Sequence, residues 1–435
     1  MHRLPLLALL VGLTSLAACA SDPAPSPPAE PPTSEHQNPE DETAPPSPPD
    51  ANAPKLVTID LGTVQPNKAV TFDAPKGTLG FNIVGLPVSG DVNAMVSVSE
   101  LVAPDGKKLV EDSVPEGTNQ PYGYPGVAAS SIPRGPSSVA MKDRSGTWTA
   151  KFEATEPLEV TVNLQVTGDG AFQGGELDVH VYIPVGMKIH DPGPMHDVSA
   201  ATAPDDTAVK ARLDTYFDAL EKLFGISRGK VTFHEIGAEF ITVDETNMAA
   251  ALAETAAAKD GQAMHLLWTT KLTLFGNETW GVSPGAPGGA VKVGHPAAGI
   301  VIGLTSSFPA KGDGLTMLHE TGHYLGLQHT TELAGGSSDP LEDTPVCDTI
   351  SPESFRQCTD RTNLMFPVFY GATNGGKGVM LSDHQRTVVQ GSPIYHAKTT
   401  ARTQSQSLAA PSSLFDMNVA VPRGVVPCGN ALMHR

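Results

Sequence analysis

His319-Glu320-Thr321-Gly322-His323-Tyr324-Leu325-Gly326-Leu327-Gln328-His329 is the stretch whose reading decides this chain. It follows Asp313-Gly314-Leu315-Thr316-Met317-Leu318, and no proline interrupts Gly314 to Gln328, so a helix is predicted with Asp313 as its N-cap. On that helix His319 and His323 lie four residues apart and project from one face, where both imidazoles can share a Zn²⁺ ion. Glu320 stands one step round, in reach of a metal-bound water without being a ligand. Gly326 can take a left-handed conformation, end the helix and turn the chain so that His329 reaches the same metal. Three neutral nitrogens leave a fourth position open, the arrangement of a catalytic rather than a structural zinc. HExxH alone also fits two surface histidines on a helix. With the glycine and the third histidine fixed too, chance supplies the pattern in roughly one chain in ten thousand.

The motif resembles the metzincin zinc metalloproteases, in which HExxHxxGxxH is followed by a Met-turn. Asn363-Leu364-Met365-Phe366-Pro367 supplies that turn here. The resemblance implies that Met365 lies beneath the histidines as an apolar floor, not as a ligand. Within the clan the chain is similar to the pappalysins, through Leu325-Gly326-Leu327-Gln328-His329-Thr330, through Glu342-Asp343-Thr344-Pro345 and through a cysteine shortly before the Met-turn. Leu381-Ser382-Asp383-His384-Gln385 suits the helix that closes such domains. One departure is Pro367, where many metzincins carry a tyrosine two residues after the methionine; Tyr370 is the nearby candidate. The resemblance spans about residues 175–398 and implies a zinc endopeptidase acting on protein or peptide substrates. It also allows Ca²⁺, but the spacing of Asp339, Glu342 and Asp343 matches no EF-hand, so a solvated acidic loop is expected and no calcium ligand is assigned.

Four cysteines are too few for a disulfide-dense miniprotein. Cys347 and Cys358 flank the segment between the third histidine and the Met-turn. In an exported protein they are expected to form a disulfide contributing about 3 kcal/mol in the chain-entropy model; two separate thiols are the alternative. Cys428 is left over, either as a tail thiolate reaching the zinc or as an idle or intermolecular thiol. Gly371 to Lys377 fits GxxxxGK, but Gly378 stands in the Ser/Thr position, so it reads as a loop. No GxSxG supports a serine hydrolase. His180, His234, His265 and His384 have no paired ligand spacing and read as ordinary polar or core residues.

The N-terminus opens with His2 and Arg3, then an apolar run from Leu4 to Leu16, the pattern of a signal peptide over residues 1–18. Leu16-Ala17-Ala18-Cys19 resembles the bacterial lipobox, which makes Cys19 the lipidated first residue of the mature chain. An ordinary signal peptide cleaved near Ala20 is the alternative. By resemblance to lipoprotein sorting rules, Ala20 after the cysteine, rather than Asp, favours the outer membrane. Residues 19–54 read as a disordered acidic tether: from 20 to 54 there are 12 prolines and seven acidic residues, with no Lys, Arg or large apolar side chain. No apolar run of 18 residues follows the leader, which excludes a helical membrane bundle. A net charge of −19 argues against nucleic acid as a partner.

Residues 55–174 alternate with period two. Leu158, Val160, Val162, Leu164 and Val166 face one way, while Glu159, Thr161, Asn163 and Gln165 face the other, the pattern of a half-buried antiparallel strand. Val57–Leu61 and Val96–Ser99 repeat it between polar turns, which predicts an all-β sandwich. Ala103-Pro104-Asp105-Gly106-Lys107 with Ser145-Gly146-Thr147-Trp148 resembles jelly-roll domains appended to secreted bacterial proteases. From 175 to 400 strands and helices alternate, as in an α/β (α+β) metzincin-type catalytic domain. A strand over Leu177–Ile183 and a helix over Thr207–Phe224 open it; residues 401–435 read as a tail. The Gly281 to Gly289 loop is expected to rim the cleft, and Phe366, Pro367, Val368 and Phe369 to wall an apolar pocket. The expected whole is an exported lipoprotein, in the outer membrane or at the cell surface, hydrolysing peptide bonds with one zinc ion. The rival is a lipid-anchored surface binding protein whose sandwich is the working part and whose metal site is vestigial.

Overall fold

The period-two segments between Lys55 and Val166 build two antiparallel sheets in the computed structural model. The model describes residues 51–118, 121–258, 262–284, 293–304, 309–332, 339–347, 357–367 and 378–398. The leader, Cys19, the tether up to Asp50, Tyr370, the 371–377 loop, Cys428 and the tail lie outside them. Ten strands run in order: β1 (Lys55–Val64), β2 (Ala69–Ala74), β3 (Thr78–Pro87), β4 (Met95–Val102), β5 (Lys108–Glu111), β6 (Val114–Pro115), β7 (Tyr124–Pro125), β8 (Ala128–Ile132), β9 (Gly146–Glu153) and β10 (Leu158–Val166). One sheet is ordered β1-β10-β3-β8 and the other β2-β9-β4-β5-β6, with β7 added beside β4. Their inner faces share a core in which Phe81 of the first sheet meets Phe72 and Trp148 of the second edge-on, at 5.2 and 4.8 Å between ring centroids.

The second half begins with β11 (Glu176–Pro184), the short pair β12 (Lys188–Ile189) and β13 (His196–Asp197), and, after the single-turn α1 (Pro136–Ala140) of the first half, helix α2 (Thr207–Phe224). Then come β14 (Ser227–Ile236), β15 (Thr242–Asp244), α3 (Met248–Ala253), β16 (Met264–Thr269), β17 (Lys271–Leu274), β18 (Asn277–Thr279), β19 (Gly281–Val282), β20 (Ile300–Gly303), α4 (Ala310–Tyr324) and α5 (Asp383–Gln390). The main sheet is ordered β14-β11-β16-β20-β19, parallel except for the antiparallel edge strand β19. The fold is thus mixed, sheet-rich α+β.

Helix α2 has the bounds its sequence predicts, and the reason is local. The Asp206 carboxylate accepts from the Ala208 and Val209 amides at 2.8 and 3.0 Å, and Gly225 closes the other end at φ +77°. Its buried stripe, with Val209, Leu213, Leu220 and Phe224, belongs to the core that also takes in α4 and one face of the main sheet.

Two expectations need correction. Asp313 is not the N-cap of α4. That helix starts a turn earlier, and its first amide, Ala310 N–H, donates to the Asp191 carboxylate at 2.7 Å. Asp313 lies inside the helix, 2% exposed, paired at 2.8 Å with the fully buried Arg212 of α2. The Arg212 guanidinium also donates to the carbonyls of His190, Asp191 and Ala208, so one buried cation ties three segments together. Strand β10, in turn, is half-buried at its start, where Glu159 is exposed, but buried on both faces from Asn163 onward. Its polar residues Asn163 and Gln165 are 7% and 0% exposed. The outer surface of the sheet containing β10 is covered by the second half of the chain. Val84 and Ala129 share a core with Ala297 and Ala298, and a Cβ built on Gly80 falls 2.5 Å from the Gly391 carbonyl oxygen.

Candidate metal centre

Fourteen of the fifteen residues of α4 leave no exposed face: Ala310 and everything from Gly312 to Tyr324 is buried, and only Lys311 is not. A helix buried all round needs close approach on every side, and its glycines provide it. A Cβ on Gly314 falls 2.7 Å from Thr215, and one on Gly322 falls 2.6 Å from Met365 Sδ. The Met365 thioether therefore lies against the turn that carries both helical histidines, and Met365 itself is fully buried. Beyond the helix Gly326 takes φ +107°, a region that disfavours any Cβ, and packs against Ser131 of β8. The chain then turns back and brings His329 to the pair.

The three imidazoles converge. Nε2 of His319 lies 3.1 Å from Nε2 of His323 and 3.3 Å from Nε2 of His329, and the last two are 3.0 Å apart. They form the only group of three or more His, Cys, Asp or Glu side chains among the described residues arranged to hold a metal ion. Their outer nitrogens fix the tautomers. Nδ1–H of His319 donates to the Leu364 carbonyl at 2.6 Å, and Nδ1–H of His323 to the Leu327 carbonyl at 2.9 Å. Nδ1 of His329 faces Glu332 Oε1 at 3.1 Å. A carbonyl only accepts, so in the neutral rings the proton sits on Nδ1 and the Nε2 lone pairs point inward. Burial first, then the neighbouring His329, pushes His319 down to about 3; burial, His329 and His319 push His323 well below its usual value. Neutral imidazoles with lone pairs facing one another at about 3 Å repel unless a cation lies between them. Zn–N bonds of about 2.0–2.1 Å in a tetrahedron put ligand nitrogens about 3.3 Å apart, so the three side chains fit Zn²⁺.

Glu320 is 1% exposed and is packed against the edge strand: a Cβ on Gly281 falls 2.6 Å from Glu320 Cγ and 2.8 Å from its Oε1. Only glycine leaves room for the carboxylate there. The supports around the Met-turn are polar and buried. Asn363 Oδ1 accepts from the Met365 amide at 2.8 Å, and the Gln385 side chain accepts from Asn363 Nδ2 at 2.8 Å and donates to Asp339 Oδ2 at 3.1 Å. Asp339 N–H donates to the His329 carbonyl at 2.8 Å, and the Met365 carbonyl accepts from Thr330 N–H at 3.1 Å. Asp339 is therefore not part of a solvated loop. It is 6% exposed, accepts from Thr344, and burial pushes its carboxyl up to about 7 against the pull of the Thr344 and Gln385 hydrogen bonds. Glu342 and Asp343 are exposed, as expected.

Cys347 and Cys358 form a disulfide with Cα atoms 5.5 Å apart. Phe366 and Pro367 are buried, while Val368 and Phe369 lie outside the described residues, as does the rim loop beyond residue 284. Reading by spacing missed Arg212, Glu332 and Gln385. It also missed a second histidine group on the main sheet: His180 stacks between His234 and His265 at centroid distances of 5.0 and 5.3 Å. The signal for that group is strand register, which puts His180 opposite His265 and Tyr182 opposite His234.

No protein-family model matches the chain, and no curated protein matches it. Among solved structures it is similar to an archaemetzincin from Methanopyrus kandleri, with 14% identity, 51% of this chain and 91% of that one covered, and a TM-score of 0.25. It is similar also to the Bacillus licheniformis lipase BlEst2 in propeptide form, at 13% identity over 28% and 24% of the two chains with a TM-score of 0.16. A family two carbohydrate esterase from Cellvibrio japonicus aligns at 8% identity over 51% and 81%, with a TM-score of 0.13. With identities below 25% and TM-scores below 0.5, none of the three assigns this chain a fold or an activity.

Proposed function

We propose that this protein is a zinc-dependent endopeptidase. The observation that carries the reading is the convergence of three Nε2 atoms, on rings anchored through Nδ1 by two backbone carbonyls and a carboxylate, with a buried glutamate one residue from the first of them. His319, His323 and His329 would hold the ion. When bound there, zinc supplies Lewis acidity toward a carbonyl oxygen and lowers the pKa of water toward neutrality. Glu320 takes the proton of the attacking water and hands one to the departing amine. Its position beside Gly281 sets it at the sheet edge, where a substrate running along β19 extends the antiparallel pairing as one more strand. Met365 and the Asn363–Gln385–Asp339 hydrogen bonds hold the ligand loops in place and touch no reacting atom. The Cys347–Cys358 disulfide supports a site of action outside the cytosol, consistent with export and attachment through Cys19. A purely structural zinc needs no general base, so Glu320 also favours catalysis over a vestigial metal site.

The test is cleavage of denatured casein by the full-length protein beside Glu320→Ala, with zinc measured on both. One zinc per chain in each and cleavage by the wild type alone is the expected result. Equal cleavage by both removes Glu320 from the chemistry, and absence of zinc from the wild type removes the reading altogether.

A further inference from the structure

A groove of about 910 Å³ opens between the end of the sandwich and the hairpin formed by β17 and β18. The sandwich contributes Met95, Tyr122, Tyr124 and Glu153 to its lining, and the other half of the chain contributes Glu245 and Phe275. Its charge is one-sided: two carboxylates line it and, among the described lining residues, no Lys, Arg or His. Its apolar part is unusually exposed for so large a pair of side chains, with Met95 at 58% and Phe275 at 52%. The Tyr124 hydroxyl is fully buried beside Arg134. Buried Arg134 packs its guanidinium 4.7 Å from the centre of the Tyr122 ring; it is not among the lining residues and holds that ring in place.

Both walls are joined to the metal centre. The Tyr122 hydroxyl accepts from Gln328 Nε2 at 2.9 Å, and Gln328 directly precedes the ligand His329. Phe275 sits on the hairpin tip, where its amide donates to Glu245 Oε2 at 3.2 Å. From that tip β18 leads through Trp280 to Gly281, the residue against Glu320. Gln328 and Gly281 thus connect the two walls of the groove to the metal centre. Lysine and arginine side chains combine an apolar stem with a cationic head. Aromatic faces such as Tyr122 and Phe275 attract the head, and a carboxylate on either wall pairs with it. A neutral glycan would satisfy the aromatic faces but leave both carboxylates without a charge partner.

We propose that this groove is a substrate-recognition subsite that takes a lysine or arginine side chain of a protein substrate. The proposal rests on the endopeptidase reading for the word substrate, but the binding itself does not. Full-length, zinc-loaded protein is titrated against a fluorescein-labelled tetra-arginine peptide built of D-residues and against its neutral tetra-citrulline counterpart. Tighter binding of the arginine peptide is expected, weakening as salt is raised from 50 to 500 mM. Glu153→Gln/Glu245→Gln should lose about tenfold in affinity, the scale of two partly exposed charge pairs. Its zinc content and its cleavage of peptides free of Lys and Arg should stay unchanged. Asp197→Asn/Asp205→Asn, which removes the same charge outside the groove, should bind like wild type. Equal binding of the two peptides, equal loss in both double variants, or displacement of the arginine peptide by a neutral chito-oligosaccharide overturns the proposal. Groove-dependent binding in a protein that cleaves nothing sinks the endopeptidase reading and leaves the groove standing. Cleavage without any groove-dependent binding does the reverse.

Discussion

Two groups of three histidines lie among the described residues, and they differ in what surrounds their nitrogens. On α4 and the loop behind it, three Nε2 atoms meet within 3.3 Å while backbone carbonyls and one carboxylate occupy the Nδ1 side. On the main sheet the rings of His180, His234 and His265 lie nearly parallel, tilted by 26° and 20°. There His180 Nδ1 meets His234 Nε2 at 2.7 Å, a distance at which one proton is shared, and His265 Nδ1 meets the Tyr182 hydroxyl at 2.9 Å. Strands present side chains side by side, so neighbouring rings stack; a helix and a returning loop approach from different directions, so rings can converge. Convergent lone pairs call for a cation, whereas stacked rings that exchange hydrogen bonds do not.

The sharpest way to break that contrast is to remove one ring from each group. His323→Ala should drop bound zinc from one ion per chain to none, measured by atomic emission after desalting, and abolish casein cleavage with it. His180→Ala should keep the full zinc content. Zinc lost in His180→Ala and kept in His323→Ala would assign the metal to the wrong group. The next largest effect concerns what carries each group. The sheet histidines sit on strands held by ladder hydrogen bonds, but the helix of the triad is anchored by one buried ion pair. Arg212→Met leaves Asp313 buried and uncompensated, at a cost of about 3–5 kcal/mol in denaturant unfolding. Adding Asp313→Leu should recover most of that. A single variant as stable as wild type would show that the pair does not anchor α4.

The same contrast explains what could be read from the sequence. The triad was legible because its spacing is covalent: four residues along one helix, then a glycine and three more. Helix α2 was legible because Val209, Leu213, Phe217, Leu220 and Leu223 recur at three- and four-residue steps. Asp313 misled because an aspartate before an apolar run fits an N-cap, and only the fold supplies the buried Arg212 from 101 residues away. The sheet cluster was illegible because His180, His234 and His265 meet through parallel register, which no local pattern encodes. Strand β10 read as half-buried because period two reports one covered face; the second cover comes from the other half of the chain. Glu332 and Gln385 were passed over because their role lies in the atom they face, not in their spacing.

Acid should act alike on His265 of the sheet group and His319 of the triad, which tests whether both are buried neutral. Burial, followed by His180 and His234, brings His265 to about 3, as burial and His329 do for His319. The unfolded chain protonates these rings near pH 6.5, whereas the folded chain refuses the proton down to about pH 3. Between those limits the unfolded state binds more protons, so stability rises with pH and is lost as pH falls from about 6.5 toward 3. In metal-stripped protein the slope approaches about 1.4 kcal/mol per pH unit for each such histidine. Urea unfolding at pH 7.5, 6.0 and 5.0 measures it, and His265→Gln should flatten the curve by one histidine's share. An unchanged slope would mean that His265 takes up its proton within the folded state.

The smallest effect separates the three ligands from one another. Leu364 and Leu327 fix His319 and His323 through neutral carbonyls, which no side-chain substitution removes. His329 alone depends on a side chain, Glu332, whose carboxylate lies 3.1 Å from Nδ1 and is 28% exposed. A negative acceptor raises the donor strength of the imidazole toward a metal as well as orienting it, and such partners commonly carry a 10- to 100-fold effect on affinity. Partial exposure places this one at the low end, near tenfold. Glu332→Gln keeps a hydrogen-bond acceptor and loses the charge, so orientation survives while donor strength falls. Competition with a fluorescent zinc chelator at pH 7.5 should show zinc held about tenfold more weakly, with the unfolding midpoint of the metal-free protein unmoved. If Glu332→Gln binds zinc as tightly as wild type, orientation is all the carboxylate supplies. If the metal-free midpoint falls, the residue belongs to the fold and not to the contrast between the two histidine groups.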